Sequence, residues 1–191
     1  MVEISTSEVV FAGVVLLVVA ERLWELAFSA RNARATLQRG GVVSGDPHHW
    51  RVVALHVAWL AAAPLEVVCF DRPWIPALGL GMIVLLVLSM ALRYWSVRAL
   101  GERWNVRIIV VPGETPVTDG PFRWFRHPSY TAAYVELIAL PMVHTAWLTA
   151  LVLAPPNMLA MWHKIRAEER ALQAMPEYGE FMKCNRRIGP S

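Results

Sequence analysis

Long apolar stretches separated by short polar segments set the pattern of this sequence. A helix needs about 20 apolar residues to cross about 30 Å of hydrocarbon. Five stretches approach that length, at residues 7–28, 52–70, 75–94, 129–143 and 146–162. The pattern predicts an all-α integral membrane protein with about five transmembrane helices.

Two kinds of break punctuate these stretches. Residues 71–74 read Asp-Arg-Pro-Trp, which predicts a tight polar turn between the second and third stretches. Pro141 interrupts the fourth stretch, and Pro155 and Pro156 interrupt the fifth. Such interruptions are tolerated in a membrane where neighbouring protein or a cavity satisfies the freed backbone groups.

The first stretch is predicted to be a retained helix. A cleavable signal begins with a basic region and ends at small residues. Here Glu3 and Glu8 precede the apolar residues, and the chain continues directly into Glu21 and Arg22.

Composition and charge agree with a membrane protein. Charged residues make up 17% of the chain, against about 25% in a typical soluble protein. If the N-terminus lies outside, 16 of the 18 Lys and Arg residues fall in three inside segments, 29–51, 93–127 and 163–191. This is the bias that the positive-inside rule expects. The basic residues therefore indicate orientation, and no nucleic-acid partner is expected because they are dispersed among the spans.

Neither the cysteines nor the histidines predict a metal site or a disulfide. Cys69 and Cys184 lie in very different settings, which does not fit a disulfide framework or a zinc site. His48, His49 and His56 lack the carboxylate or cysteine ligands that would complete a metal site.

Two of the inside segments carry structure of their own. Residues 104–111 read Trp-Asn-Val-Arg-Ile-Ile-Val-Val, a β-like run that ends at a Pro-Gly-Glu turn. A second turn follows at residues 119–121, Asp-Gly-Pro. The segment 165–182 is predicted to be mostly helical and broken once, at Pro176.

A first group of candidate functional residues spans 120–130, Gly-Pro-Phe-Arg-Trp-Phe-Arg-His-Pro-Ser-Tyr. Pro128 is suited to the first turn of a helix, which places His127 near the N-cap. Free backbone N–H groups at such a terminus can bind a carboxylate. The aromatic side chains could face an adenine ring or a sulfonium cation. A plain aromatic and basic membrane anchor is the alternative interpretation.

A second group spans 164–172, Lys-Ile-Arg-Ala-Glu-Glu-Arg-Ala-Leu. On a helix, Lys164 lies four residues from Glu168, and Arg166 lies three from Glu169, so both pairs are within reach. A solvated helix with surface ion pairs is the alternative.

Ionisable residues also occur inside the apolar stretches, where they are costly and often functional. Glu21, Arg22 and Glu25 lie at the inner end of the first stretch, and they could instead pair with one another. Glu66 and Glu136 fall within later stretches and are candidates for the same reason.

The two groups, in this order, resemble the isoprenylcysteine carboxyl methyltransferase family. The most specific string is Arg-His-Pro-Ser-Tyr at 126–130, followed by a hydrophobic hairpin, residues 166–172, and Tyr-Gly-Glu-Phe at 178–181. The resemblance implies a single all-helical membrane domain. Residues 1–92 would supply N-terminal helices, and residues 93–191 a catalytic core with a cytosol-facing pocket for S-adenosylmethionine.

The resemblance also implies roles for individual residues. Those implied to bind the cofactor are Val117, Phe122, His127, Pro128, Ser129, Tyr130 and Glu168, with the turn at 114–117 lining the pocket. The family also has an arginine, upstream of this glutamate, that orients the acceptor carboxylate. Here Arg166 precedes Glu168 by two residues, and Lys164 lies one turn before it. Arg166 is favoured over Lys164 because a guanidinium can bind a carboxylate with two parallel hydrogen bonds.

The first half of the chain, with Glu-Arg-Leu-Trp-Glu-Leu at 21–26, is similar to bacterial relatives that O-methylate alkylpyrones or alkylresorcinols. The expected function is therefore O-methylation of a small lipophilic acceptor. The protein would lie in a bacterial inner membrane and contact its lipids. The acceptor would be the carboxylate of a prenylcysteine-like molecule, or an enol or phenol. A phenol would need a base, and His127 is the candidate.

Two alternatives stay open. A phospholipid N-methyltransferase would use a related scaffold on an amine acceptor. A small membrane transporter or assembly factor would bind no cofactor at all.

Overall fold

The structure is a computed structural model that describes residues 5–44 and 49–175. Each of the five apolar stretches forms a helix, which confirms the predicted all-α class. In chain order they are α1 (Thr6–Gln38), α2 (His49–Cys69), α3 (Pro76–Leu100), α4 (Pro128–Met142) and α5 (Trp147–Gln173). Two short 3-10 turns, Gly101–Arg103 and Gly120–Arg123, lie between α3 and α4.

The outer helices are longer than the apolar stretches from which they were predicted. The first helix has 33 residues and the last has 27. At 1.5 Å per residue, α1 is about 50 Å long, which exceeds the hydrocarbon thickness of a bilayer. By length and composition, two described helices could cross a membrane: His49–Cys69 and Pro76–Arg103.

Proline does not end the helices where the sequence suggests an interruption. Pro155 and Pro156 lie inside α5, and Pro64 lies inside α2. Helix α5 packs against both α2 and α4 along this region. Packing of this kind allows a proline-containing helix to continue, because neighbouring helices shield the backbone groups that lose their partners.

One end of the bundle gathers the start of α1 and the two hairpin turns. His144 Nε2 lies 3.2 Å from the Ser7 hydroxyl, and its ring lies 5.8 Å from the Trp74 ring. The Thr145 hydroxyl donates to the Pro73 carbonyl at 2.7 Å. The α2–α3 and α4–α5 connections therefore lie together at this end.

The opposite end is held by a small sheet and by polar contacts from α1. Strands β1 (Val42–Val43) and β2 (Ile109–Val110) pair antiparallel. Only these two residues of the β-like run 104–111 form a strand. The Asn32 amide donates to the carbonyls of Gly101 and Trp104, at 3.0 and 2.9 Å. The loop after α3 is therefore fixed against α1.

Large apolar side chains lie on the outside of the bundle as well as in its core. Large apolar side chains of α1 point outward, including Leu16 and Leu17, which are 67% and 68% exposed. Charged side chains such as Glu25, Arg93 and Glu136 are buried between helices. This distribution is typical of a protein surrounded by lipid.

Several predictions lie outside the described residues. These are the helix break at Pro176, the Tyr-Gly-Glu-Phe string at 178–181, and the positions of His48 and Cys184.

Candidate active site

A cavity of about 480 Å³ opens between the helices at the sheet end of the bundle. One part of its wall is apolar and comes from α1 and α2, through Val19, Leu23, Leu26, Val52, Val53, Val57 and Leu60. The other part is polar and comes from the loop after α3, the start of α4 and the end of α5. Each cofactor-binding residue implied by the resemblance lines this cavity: Val117, Phe122, His127, Pro128, Ser129, Tyr130 and Glu168.

The start of α4 presents its backbone to the cavity. Pro128 occupies the first helical position, where its missing N–H costs nothing. His127 is the N-cap residue, and it makes no side-chain capping hydrogen bond. The first helical bond runs from the Thr131 N–H to the His127 carbonyl, at 3.0 Å. The N–H group of Ser129 precedes that bond, so it is available to an anion.

Two glutamates of α5 meet the start of α4. The Tyr130 hydroxyl donates to Glu168 Oε2 at 2.9 Å, which fixes this carboxylate at the cavity wall. Glu169 is buried, and its Oε1 lies 3.3 Å from His127 Nε2 and 3.8 Å from Arg126 Nη1. The His127 ring also packs edge-on against the Tyr130 ring. The sequence did not suggest this role for Glu169, because spacing along one helix pointed to Arg166 as its partner.

The loop before α4 closes the polar part of the cavity. Arg103 pairs with Glu114 at 3.2 Å and donates to the Thr115 carbonyl at 2.8 Å. These contacts hold the segment that includes Val117 at the cavity wall. Gly120 has a φ of +60°, and a Cβ there would lie 3.1 Å from the Trp95 indole nitrogen, so glycine fits both the turn and the space.

The two candidate acceptor-binding cations have different surroundings. Lys164 is buried, lines the cavity, and donates from Nζ to the Val106 carbonyl at 2.7 Å. Arg166 is exposed and lies over the Trp162 ring, 5.0 Å from its centroid. It is not among the residues that line the cavity.

A buried ionic network lies beside the apolar part of the cavity. Arg93 donates to both oxygens of Glu136, at 3.2 and 2.7 Å. Arg22 binds Glu25 at 2.6 Å and Glu136 at 2.8 Å, and it pairs with Glu21 at 2.8 Å. Four of the five ionisable residues suspected inside apolar stretches, all but Glu66, therefore meet one another, and α3 supplies the arginine that the sequence had not singled out.

His56 of α2 lies on the cavity wall with Arg22, Glu25 and Arg93. Its Nδ1 is 3.1 Å from Asn157 Oδ1 of α5. Within the described part of the chain, no group of three or more His, Cys, Asp and Glu side chains is arranged to hold a metal.

Glu66 has a structural environment far from this cavity. Its carboxylate accepts from the backbone N–H groups of Leu148 and Thr149, at 3.0 and 2.6 Å, and it pairs with Arg72 at 2.9 Å. The side chain therefore caps the N-terminus of α5.

Comparison with known proteins identifies the class of this fold and site. Residues 82–174 match the isoprenylcysteine carboxyl methyltransferase (ICMT) family. This segment includes most of α3, all of α4 and α5, and the polar part of the cavity. This match to a family of membrane methyltransferases confirms the resemblance expected from residues 120–130 and 164–172.

The relatives cover nearly the whole chain. A Bacillus subtilis (strain 168) protein with the name "Uncharacterized protein YpbQ" is 29% identical over 160 residues, which covers 83% of this chain and 94% of the relative. A Haemophilus influenzae "Uncharacterized protein" is 28% identical over 156 residues, covering 81% of this chain and 90% of the relative. At these lengths the similarity extends beyond residues 82–174 into the part of the chain that precedes the family match.

Proposed function

We propose that this protein is an S-adenosylmethionine-dependent O-methyltransferase that acts on a lipophilic acceptor at the cytoplasmic side of a membrane. One observation carries the proposal. The uncapped N-terminus of α4 and the Glu168 carboxylate line one end of a cavity whose other wall is apolar. The polar end of the cavity thus suits a charged cofactor, and the apolar wall suits a lipophilic acceptor.

The residues at the polar end fit this cofactor. The Ser129 N–H group, in the first turn of α4, would bind its carboxylate. Glu168, held by the Tyr130 hydroxyl, would accept a hydrogen bond from its ammonium group or its ribose. Phe122 offers an aromatic face to the adenine ring or to the sulfonium.

When bound, the cofactor supplies a methyl group that is already activated by the sulfonium charge. The protein's contribution is to hold the acceptor oxygen close to that methyl group and to exclude water. Positioning of this kind can contribute roughly 7–11 kcal/mol. Lys164 is a cation on the cavity wall that would hold an anionic acceptor oxygen, and its contact with Val106 keeps its ammonium group in place.

The surface of the bundle supports insertion of α1 and α5 in a membrane, beside α2 and α3. Beyond the two most apolar helices, α5 exposes Leu151, Val152 and Leu159, and α1 exposes Leu16 and Leu17. The apolar cavity wall belongs to α1 and α2, which are helices that lipid would surround. An acceptor with a long apolar tail could therefore reach the cavity from the bilayer, while the cofactor enters from the cytoplasm.

A calorimetric titration of the purified protein with S-adenosylhomocysteine, in detergent, tests the cofactor assignment. We expect binding by the wild type and a loss of affinity of roughly 3- to 10-fold in Tyr130→Phe, because the hydroxyl that orients Glu168 is removed. His127→Ala should weaken binding as well.

Tyr134→Phe is the matched control. The Tyr134 hydroxyl donates to the Met158 carbonyl at 3.3 Å, and this tyrosine is not among the cavity-lining residues. Its loss should leave the affinity unchanged. Equal affinities in Tyr130→Phe and the wild type would contradict the placement of the cofactor.

The two other functions make different predictions. A phospholipid N-methyltransferase would have an amine acceptor, and the buried Lys164 ammonium is a poor neighbour for an amine that becomes cationic. A transporter or assembly factor predicts no heat of binding with S-adenosylhomocysteine.

A further inference from the structure

A second, smaller groove lies on the outer surface of the bundle, between α1 and α3. It has a volume of about 280 Å³. Its lining comes from α1 (Glu21, Trp24 and Glu25) and from α3 (Met90, Tyr94 and Val97). The two carboxylates pair with Arg22 and Arg93, so the surface that remains for a ligand is mainly apolar. A hydrocarbon chain fits a groove of this kind.

Two exposed arginines lie over aromatic rings on the helices that form this groove. The Arg31 guanidinium is 5.8 Å from the centroid of the Phe28 ring on α1, and the Arg98 guanidinium is 5.8 Å from the centroid of the Tyr94 ring on α3. A cation over a ring is attracted to its face. Aromatic rings and basic side chains both favour the depth of the lipid headgroups.

The two arginines stand at the same end of the groove. The Asn32 amide donates to the Gly101 carbonyl at 3.0 Å, so α1 and α3 end close together. Arg31 lies seven residues beyond Trp24, and Arg98 lies four beyond Tyr94. At 1.5 Å per residue, they are about 10 and 6 Å further along the helices than those lining residues. The apolar groove therefore leads toward a pair of cations at the cavity end of the bundle.

A third exposed arginine extends the positive charge of this surface. Arg123, in the turn before α4, lies 5.8 Å from the centroid of the Trp124 ring, and that ring is 5.7 Å from the Trp95 ring of α3. Within residues 5–44 and 49–175, Arg31, Arg98 and Arg123 form no ion pair with a carboxylate. Their charge is therefore not neutralised by the described part of the chain.

We propose that this surface binds an anionic phospholipid, with one acyl chain in the groove between α1 and α3 and the phosphate at Arg31 and Arg98. A guanidinium can bind a phosphate through two parallel hydrogen bonds. A zwitterionic headgroup would bring an ammonium group toward Arg123, whereas an anionic headgroup brings none. Charge complementarity therefore favours the anionic lipid. The proposal does not depend on methyl transfer.

Native mass spectrometry of the full chain in detergent tests this site. The probes are dioleoyl phosphatidylglycerol, which is anionic, and dioleoyl phosphatidylcholine, which has the same chains and a zwitterionic headgroup. The wild type should bind one phosphatidylglycerol at least 5-fold more tightly than phosphatidylcholine. Arg31→Gln and Arg98→Gln should each lower the affinity for phosphatidylglycerol roughly 5-fold, the contribution of one basic residue beside an anionic lipid surface.

Arg166→Gln is the matched control. Arg166 is also exposed and lies over an aromatic ring, but it belongs to α5 and does not border the groove. Its loss should leave the affinity for phosphatidylglycerol unchanged. Met90→Trp places a larger side chain in the groove and should weaken the binding of both lipids, because both need the space for a chain.

Three results would overturn the proposal. One is equal affinity of the wild type for the two lipids. Another is a loss in Arg166→Gln as large as that in Arg98→Gln, which would indicate diffuse attraction to charge and no defined site. The third is a lipid-free species of doubled mass, in which a second copy of the chain covers the groove. Failure of the proposed function would appear separately, as absence of S-adenosylhomocysteine binding.

Discussion

Lys164 and Arg166 are two residues apart on α5 but face different surroundings. The sequence favoured Arg166 as the acceptor-binding cation, because a guanidinium can bind two oxygens at once. In the structure Lys164 lines the cavity, whereas Arg166 is exposed and lies over Trp162. The geometry therefore favours Lys164 for contact with the acceptor, since only a side chain in the cavity can reach it.

We expect Lys164→Ala to lower methyl transfer at least tenfold and Arg166→Ala to stay near the wild-type rate. A tenfold loss corresponds to about 1.4 kcal/mol of transition-state stabilisation. The assay is transfer of labelled methyl groups from S-adenosylmethionine to a long-chain alkylresorcinol and to a prenylcysteine analogue.

Affinity for S-adenosylhomocysteine serves as the control, and it should be nearly unchanged in both variants because the start of α4 and Glu168 are intact. If only Arg166→Ala lost activity, Arg166 and not Lys164 would be the residue that binds the acceptor.

The partners of the α5 glutamates show what the sequence could not predict at the residue scale. The spacing of residues 164–172 suggested pairs along one helix. Instead, Glu168 accepts from Tyr130, and Glu169 approaches His127 and Arg126. Helical spacing describes an isolated helix surface. Packing against α4 brings in partners about 40 residues away, and no local pattern encodes that pairing.

At the element scale, α5 depends on a cap supplied by another helix. Ala146, its N-cap residue, has no side chain that could accept a hydrogen bond. Glu66 of α2 accepts from the N–H groups of Leu148 and Thr149 instead. The Thr149 contact is buried and the Leu148 contact is part-buried, and a buried donor left without a partner is costly.

Glu66→Ala should therefore destabilise the protein by about 1–3 kcal/mol, the cost of leaving buried donors unsatisfied. For a chain of this length, that loss corresponds to a fall in melting temperature of roughly 2–10 °C. The measurement is thermal unfolding in detergent. Glu102→Ala, which removes the exposed ion pair with Arg39, should change stability by less than about 0.5 kcal/mol. Equal effects of the two substitutions would contradict the capping role.

Helices were easier to predict than the sheet for a physical reason. The apolar stretches located all five helices, because a long apolar run is visible in the sequence without knowledge of its partners. The paired strands β1 and β2 hold two residues each and come from segments about 65 residues apart. The run at 104–111 was recognisable as β-like, but its partner, Val42–Val43, has no pattern of its own. Pairing there is fixed by tertiary contacts, such as the Ser44 N–H to the Ile108 carbonyl at 2.9 Å.

For the whole molecule, the contacts at the two ends of the bundle show how the chain passes back and forth between them. Ser7, Pro73 and His144 belong to one end, where the start of α1 meets both hairpin turns. The sheet, the start of α4 and the cavity belong to the other end. Successive helices therefore run in opposite directions. If the bundle crosses a membrane, five spans place the first residues and the cavity on opposite sides.

The distribution of basic residues then sets the orientation, because 16 of 18 Lys and Arg fall in the segments assigned to the cavity side. We predict that Ser5 and Asp71 face the outside, whereas Ser44 and Asp119 face the cytoplasm. Single cysteines at these four positions, in a background with Cys69→Ser and Cys184→Ser, can be labelled with a membrane-impermeant maleimide. In intact cells only Ser5→Cys and Asp71→Cys should react, and all four should react after lysis. Labelling of Ser5→Cys and Ser44→Cys from the same side would show that α1 does not cross the membrane. Labelling of only Ser44→Cys and Asp119→Cys in intact cells would place the cavity outside, away from the cytoplasmic cofactor.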